Sequence, residues 1–257
     1  MKWSLMVLAL AVAASLVLAQ GGFAGDDQVY DPRCPRCPGS HRPKIGGGGG
    51  PVPGYLSANL KEINLMVRQM GIPEVDEGMV IMGGKGYARF GRVIIGGGGF
   101  GGATESSGIP DNSARSVKVD LGYGGALVGI CADFSRYDLT AGILLGGGSV
   151  VVTRERSSTD ISSWQDSWDL FGKDRPESIA VDDLSVTSVL AASFLAFEPF
   201  LELKVWVLPF MALDISGSYL RAKIDRGSWK MEGLKIKDSP ETDLGGPCVK
   251  VGLHFGI

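Results

Sequence analysis

The sequence predicts an all-β fold, a closed antiparallel up-and-down barrel of about eight strands preceded by a short amphipathic helix. Three observations predict it. First, residues alternate along Phe200 to Lys223: Leu201, Leu203, Val205 and Val207 oppose Glu202, Lys204 and Trp206, and past Pro209 Met211, Leu213, Ile215 and Tyr219 oppose Asp214, Ser216 and Ser218. Successive side chains of a strand point to opposite faces, so one face is apolar and the other carries the charge. A helix would scatter Glu202, Lys204 and Asp214 around its circumference. Second, the same period returns in Val117–Gly129 and in the last residues, Val249–Ile257. Third, 39 of the 257 residues are glycine, roughly twice the usual share. Many fall inside apparent strands, where glycine suits a tightly curved wall without room for larger side chains.

Taken in order, the chain opens on Lys2 and the apolar run Leu5 to Leu18, closed by Val17-Leu18-Ala19. Residues 1–19 therefore read as a secretory signal, since the run is short of the ~20 residues a membrane helix needs. Residues 20–55 read as a disordered Gly/Pro-rich leader with little to bury. It holds Cys34-Pro35-Arg36-Cys37, with His41 four residues on. A zinc site needs four ligands and no second cysteine pair supplies them. In an exported chain the pair reads as a local disulfide or as part of a plain tail.

Residues 56–76 carry the helix, Asn59 to Met70, with Asn59 as cap, Glu62 three residues on, and Gly71 and Pro73 as the stop. Leu60, Ile63, Met66, Val67 and Met70 share one side, Lys61, Glu62, Asn64, Arg68 and Gln69 the other. Such a helix packs on its own domain, and the sharper version is that it covers or enters a barrel mouth. The barrel occupies 77–257, with strands at Gly78–Phe90, Arg92–Gly102, Arg115–Ala132, Tyr137–Glu155, Leu184–Phe197, Phe200–Val207, Phe210–Lys223 and Cys248–Ile257. Polar insertions at Thr104–Ala114, Arg156–Asp183 and Ile224–Pro247 join them, the second with Ile161, Trp164, Trp168 and Phe171 at helical spacing. Pro199 and Pro209 mark turns. Parity assigns Lys118, Asp120, Glu202, Lys204, Asp214, Ser216, Ser218, Lys250 and His254 to the lumen.

A secretory signal and strands apolar outward and polar inward resemble bacterial outer-membrane β-barrel proteins of the small OmpA/OmpX-like class. So do the aromatics near strand ends (Tyr87, Phe90, Phe100, Phe134, Tyr137, Tyr219) and the ending His254-Phe255-Gly256-Ile257. The resemblance covers about Gly78 to Ile257. It departs from the pattern in its final Ile257, where an aromatic is usual, and in the short strand Phe200–Val207. It implies an outer-membrane location, contact with membrane lipid, assembly by the barrel-assembly machinery and a lumen filled by side chains. The implied role is structural, adhesive or surface-interacting, with at most narrow solute passage.

Other chemistry is scarce. Lys+Arg number 25 against Asp+Glu 28, for a formal net charge of −3, and no basic cluster suggests nucleic acid. Gly96, Gly98 and Gly101 fit a dinucleotide fingerprint after Val93-Ile94-Ile95, but no amphipathic helix follows to present its amides to pyrophosphate. Gly83 to Gly86 lacks the phosphate-loop spacing. No cofactor, metal or catalytic residue is expected. His254 with Asp214 and Ser216 or Ser218 is the one set from which a barrel lipid hydrolase or acyltransferase can be assembled; a polar lumen of mutual hydrogen bonds is the plainer reading. Cys131 and Cys248 read as two buried thiols. The rival architecture is a secreted or periplasmic soluble β-domain acting as a binding or surface module, with its Val/Leu faces inside and Glu202 and Lys204 in water.

Overall fold

The computed structural model describes residues 45–110, 113–134, 137–158 and 186–256. The secretory signal, the Cys34/Cys37 pair and the helical spacing at Ile161–Phe171 lie outside them. The described chain is β1 (Ile45–Pro51), β2 (Gly54–Ser57), α1 (Lys61–Gln69), β3 (Gly78–Phe90), β4 (Val93–Gly108), β5 (Ser113–Asp133), β6 (Tyr137–Ser158), β7 (Val186–Leu208) and β8 (Met211–Ile224). Short strands β9 (Lys230–Met231), β10 (Leu234–Lys235) and β11 (Thr242–Asp243) follow, then β12 (Gly246–Gly256). Antiparallel pairings run β3-β4-β5-β6-β7-β8-β12, and β12 returns to β3 through β1 and β2, which both pair with each of them. The result is a ring of eight, with β1 and β2 acting as one strand interrupted at Val52-Pro53. The ladder passes the interruption because the Val52 amide donates to Gly83 and the Val251 amide donates to Pro53, each at 2.9 Å.

The number of strands agrees with the sequence reading; the list does not. Residues 45–57, of which 45–55 were assigned to a disordered leader and 56–57 to the helix segment, are the strand that closes the ring, so among the described residues the barrel includes 45–57 as well as the stretch from 77, and α1 interrupts it rather than preceding it. Conversely, the two strands split at Pro199 are one. Pro199 has no N–H to give a ladder, and pairing with β8 skips Glu198 and Pro199 while the register on either side, Phe197 with Arg221 and Phe200 with Ser218, is unchanged. The stretch Thr104–Ala114 is also mostly strand, since β4 runs to Gly108 and β5 starts at Ser113.

The β3–β4, β5–β6 and β7–β8 connections are two or three residues long, while those at the other end are longer and include α1 and β9 to β11. Toward the short-turn end of β8, outward residues are apolar and most inward ones polar: Leu213 and Ile215 are exposed and Asp214, Ser216 and Ser218 buried. Toward the long-connection end the faces exchange character without a change of parity. On the same strand Leu220, Ala222 and Ile224 are buried and Arg221 and Lys223 exposed. The inner face there joins Leu60, Ile63, Val67 and Val75 in one apolar cluster with Val119, Leu121, Val150 and Leu244. Helix α1 thus packs into that end of the barrel.

Lumenal aromatics sit against glycines of the next strand. Tyr87 is paired with Gly96, and Phe194 with Gly148; a Cβ at Gly148 would overlap the Phe194 ring, and one at Gly96 would overlap the Gly86 carbonyl and the Cα and Cβ from which the Tyr87 ring springs. Glycine therefore makes room for rings lying flat on the wall, which explains part of its abundance. Tyr87 and Phe100, read as girdle aromatics, belong to this inner set.

Helix α1 buries the predicted Leu60, Ile63 and Val67, but Met66 is exposed and Asn64 is 2% exposed. The helix starts at Lys61, whose amide donates to Asn59 Oδ1 at 3.4 Å. At its other end Arg115 donates to the Met70 carbonyl at 2.6 Å. Asn64, placed on the polar side by periodicity, clamps the chain after the helix. Its Nδ2 donates to the Val75 carbonyl at 3.0 Å and its Oδ1 accepts from the Val75 amide at 2.9 Å. Asn64→Leu strands both buried backbone groups, so a loss of about 2 kcal/mol in a urea titration of the folded protein is expected. An unchanged midpoint would show that the clamp contributes nothing.

A charged lumen as the candidate functional site

Six charged side chains occupy the middle of the barrel. Lys85 comes from β3 and Glu202 from β7, four places apart in a ring of eight and therefore facing each other across the lumen. Lys85 Nζ is ion-paired with Glu202 and lies 3.4 Å from Asp214 Oδ2 on β8. Lys204 Nζ stands 3.7 Å from Glu202 and 3.9 Å from Asp214, and 4.3 Å from the Tyr87 ring centre. The register explains this cage, because Lys204 is directly opposite Asp138 on β6 and Asp214 on β8. A second cluster joins Lys250 on β12 to Glu198 on β7, with Ser218 also donating to Glu198 and Phe100 under the ammonium at 3.8 Å. Within these two clusters Lys85, Lys204 and Lys250 balance Glu198, Glu202 and Asp214, while Asp138, a further buried carboxylate opposite Lys204, accepts from Trp206. A buried charge is costly unless paired, so the balance is the condition for these residues to be inside at all.

Toward the short turns the lumen becomes aromatic. His254 stacks on Tyr87 at 5.1 Å and 17° and meets Trp206 edge-on at 6.0 Å, and Trp206 Nε1 donates to Asp138 Oδ2 at 2.8 Å. Arg89 pairs with Asp133 below them. Between the two ionic clusters, the space lined by Lys85, Phe100, Glu198, Phe200 and Glu202 is only about 20 Å³, room for roughly one water. This stretch of the lumen is packed, not open.

Of the nine residues assigned to the lumen by parity, Glu202, Lys204, Asp214, Ser216, Ser218, Lys250 and His254 are buried there. Lys118 and Asp120 are not. They lie on the outer face of β5, paired at 2.9 Å with their side chains 47% and 40% exposed, while Val117 and Val119 point inward. The assignment assumed an apolar exterior along the whole strand, and β5 outruns the apolar band into the region where the faces exchange. The hydrogen bond to Asp120 raises the pKa of the Lys118 ammonium.

The hydrolase arrangement does not assemble. His254 is opposite Ala212, whereas Ser216 is opposite Lys250 and Ser218 opposite Cys248, four and six residues along β12, a separation of roughly 13–20 Å at 3.3 Å per residue. Ser218 is engaged by Glu198. Cys131 and Cys248 are free and buried in separate apolar clusters. Cys131, Asp133 and Asp138 bring potential metal-ligand atoms within 4.8 Å of one another. Arg89 engages Asp133 and Trp206 engages Asp138, so the group reads as a hydrogen-bonded corner.

Lys85 and Glu198 were missed by the sequence reading. Lys85 lay in a glycine run weighed only as a phosphate loop, and Glu198 in an assumed turn. Unbroken parity along β7 aligns Glu198 with Glu202 and Lys204 and was the signal that could have found it.

No protein-family model matches the chain, and none of the curated proteins does. Among solved structures it resembles Ail, the attachment invasion locus protein of Yersinia pestis, at 14% identity over 83% of this chain and 97% of that one, with a TM-score of 0.37. It also resembles OprG from Pseudomonas aeruginosa (12%, 83% and 95%, TM-score 0.37) and Neisserial surface protein A (8%, 83% and 97%, TM-score 0.35). The solved structures it resembles are bacterial outer-membrane β-barrel proteins.

Proposed function

We propose that the chain is a bacterial outer-membrane β-barrel whose lumen is locked by its own ion pairs, and that it acts through the surface at its long-connection end rather than as an open channel. The observation that carries this reading is the outer wall. Leu203, Val205, Leu213, Ile215, Val251 and Leu253 are 36% to 45% exposed, while Glu202 and Lys204 beside them are 3% and 1% exposed. A soluble β-domain would show the reverse. On β7 the apolar outer face runs from Leu195 to Val207, thirteen residues, long enough for the roughly 9–11 residues of a tilted spanning strand. Phe90, Tyr137, Phe210 and Phe255 ring the short-turn end on the outside, as interfacial aromatics do. Arg221 and Lys223 stand beyond the band on β8. No described helix is long and apolar enough to cross a membrane; in this reading the strands cross it.

In this reading the short turns face the periplasm and the long connections face outward. The barrel-assembly machinery inserts the chain, and the role is structural, adhesive or surface-interacting. The test is made in cells carrying Lys235→Cys or Arg92→Cys in a background where Cys34 and Cys37 are serine. A membrane-impermeant maleimide should label position 235 in intact cells and position 92 only after lysis. The protein should require detergent for extraction and migrate faster on a gel when unheated. Release by carbonate alone, with no heat shift, overturns the membrane reading. A steady porin-sized conductance in a planar bilayer overturns the locked lumen.

A further inference from the structure

The long-connection end holds a second cavity, unrelated to the ionic lumen. Between α1 and the β9–β10 hairpin lies a cleft of about 530 Å³, within the roughly 300–1,000 Å³ of small-molecule sites. Its walls are Val67 of α1, Val117 of β5, Val152 of β6, Leu190 of β7 and Trp229. Trp229 is held in place by donating Nε1 to Thr242 Oγ1 at 3.3 Å. Exposed Met66 and Met231 border the opening, and methionine adapts to apolar ligands of varied shape. Set into this apolar wall is one cation, Arg154 of β6. One terminal nitrogen donates to Ser188 Oγ at 2.9 Å and lies 3.9 Å from Met231 Sδ. Its Nε is buried with no hydrogen-bond partner, and it has no acidic partner among the described residues. A guanidinium is a planar cation that presents several donors, so a donor left unpaired among the described residues in an apolar wall is an unmet demand for an anion. Glu62 and Asp238 also border the cleft, but both are exposed, where water and salt screen them.

We infer that this cleft binds a single-chain amphiphile with an anionic head, of the medium-chain carboxylate type, its chain along the valine, leucine and tryptophan wall and its carboxylate on Arg154. The site goes beyond the proposed surface role, because it names a ligand chemistry that the barrel and its lumen do not require.

The experiment uses the full chain folded in phosphatidylcholine nanodiscs, titrated with decanoate, decanol or decyltrimethylammonium. Tryptophan fluorescence is the readout, and Trp229→Phe identifies the Trp229 contribution. Decanoate should give a saturable change that Trp229→Phe abolishes. Arg154→Met should weaken it by about tenfold or more, the loss expected for a charge-assisted hydrogen bond, and decanol should bind wild type as weakly. Val152→Trp, which fills the cleft, should remove the response. Should Arg154→Met not fold, the ratio of decanoate to decanol affinity on wild type decides the matter. Equal, non-saturating responses to all three amphiphiles mean partition into the bilayer only and overturn the inference, as does a decanoate response unchanged in Arg154→Met. Either failure leaves the outer-membrane reading intact, since that rests on labelling and extraction.

Discussion

Lys85→Met is expected to destabilise the barrel by about 3–5 kcal/mol, the cost of removing one partner of a buried ion pair. Lys85 reaches across the lumen to Glu202 and Asp214. Without it the two carboxylates keep Lys204, at 3.7 and 3.9 Å, and among the described residues β3 is left with only the contact of Tyr87 with Lys204 across the lumen. Methionine replaces the stem of lysine but not its charge, so the loss reports electrostatics rather than a cavity. The double variant Lys85→Met/Glu202→Met tests this directly. It removes one charge of each sign and leaves Lys204 with Asp214, and apolar replacement of a whole buried pair is often close to neutral. It should therefore be more stable than Lys85→Met alone, by about 2 kcal/mol or more in a urea titration in lipid vesicles. Equal losses in the single and the double variant would mean that the two residues are not coupled, and the strut would be a contact without consequence. The single variant also takes the cation out of the lining of the space of about 20 Å³ beside it, so conductance in a planar bilayer is a second readout of the locked lumen.

The faces of β7, β8 and β12 were legible in the sequence because every second residue there answers to one environment. Glu202, Lys204, Asp214 and His254 could be assigned from parity alone, and all four are buried. The same rule failed at Lys118 and Asp120 because β5 passes through two environments. Where the exterior stops being apolar, charge moves outward, and the interior turns apolar because α1 must pack against it. Parity survives along the strand, but the meaning of each face does not. The strand count came out right through two opposite errors. Ile45–Pro51 offers five consecutive glycines and no alternation, so nothing in it announces a strand; only pairing with β3 and β12 makes it one. Pro199, a legitimate turn signal, sits instead where β7 and β8 skip two pairs without losing register. Asn64 shows the limit of helical periodicity in the same way. Its burial follows from Val75, eleven residues away, and no window on the helix could reveal that.

Ile215→Arg is the substitution on which water and hydrocarbon give opposite answers. Ile215 points outward from β8, 43% exposed, with Leu203 on one side and Val251 on the other in direct register. If that wall faces lipid near the middle of the band, an arginine there should cost about 2–4 kcal/mol, falling toward zero near the interface. If it faces water, the change falls within about 0.5 kcal/mol, as surface substitutions do. Thr187→Arg on β7, outward but well beyond the apolar band, supplies the comparison and should cost almost nothing in either case. The two variants add the same charge to the same kind of wall, so the difference between them measures the surroundings and not the side chain. A lipid exterior, which a depth-dependent difference in vesicle unfolding would reveal, would also hold the ion pairs inside. With hydrocarbon outside there is no solvent to which Glu202 and Lys204 can turn, and the lumen is the only place left where they can meet their partners. Equal stability of the two variants would remove that reason, and with it the membrane reading of the whole barrel.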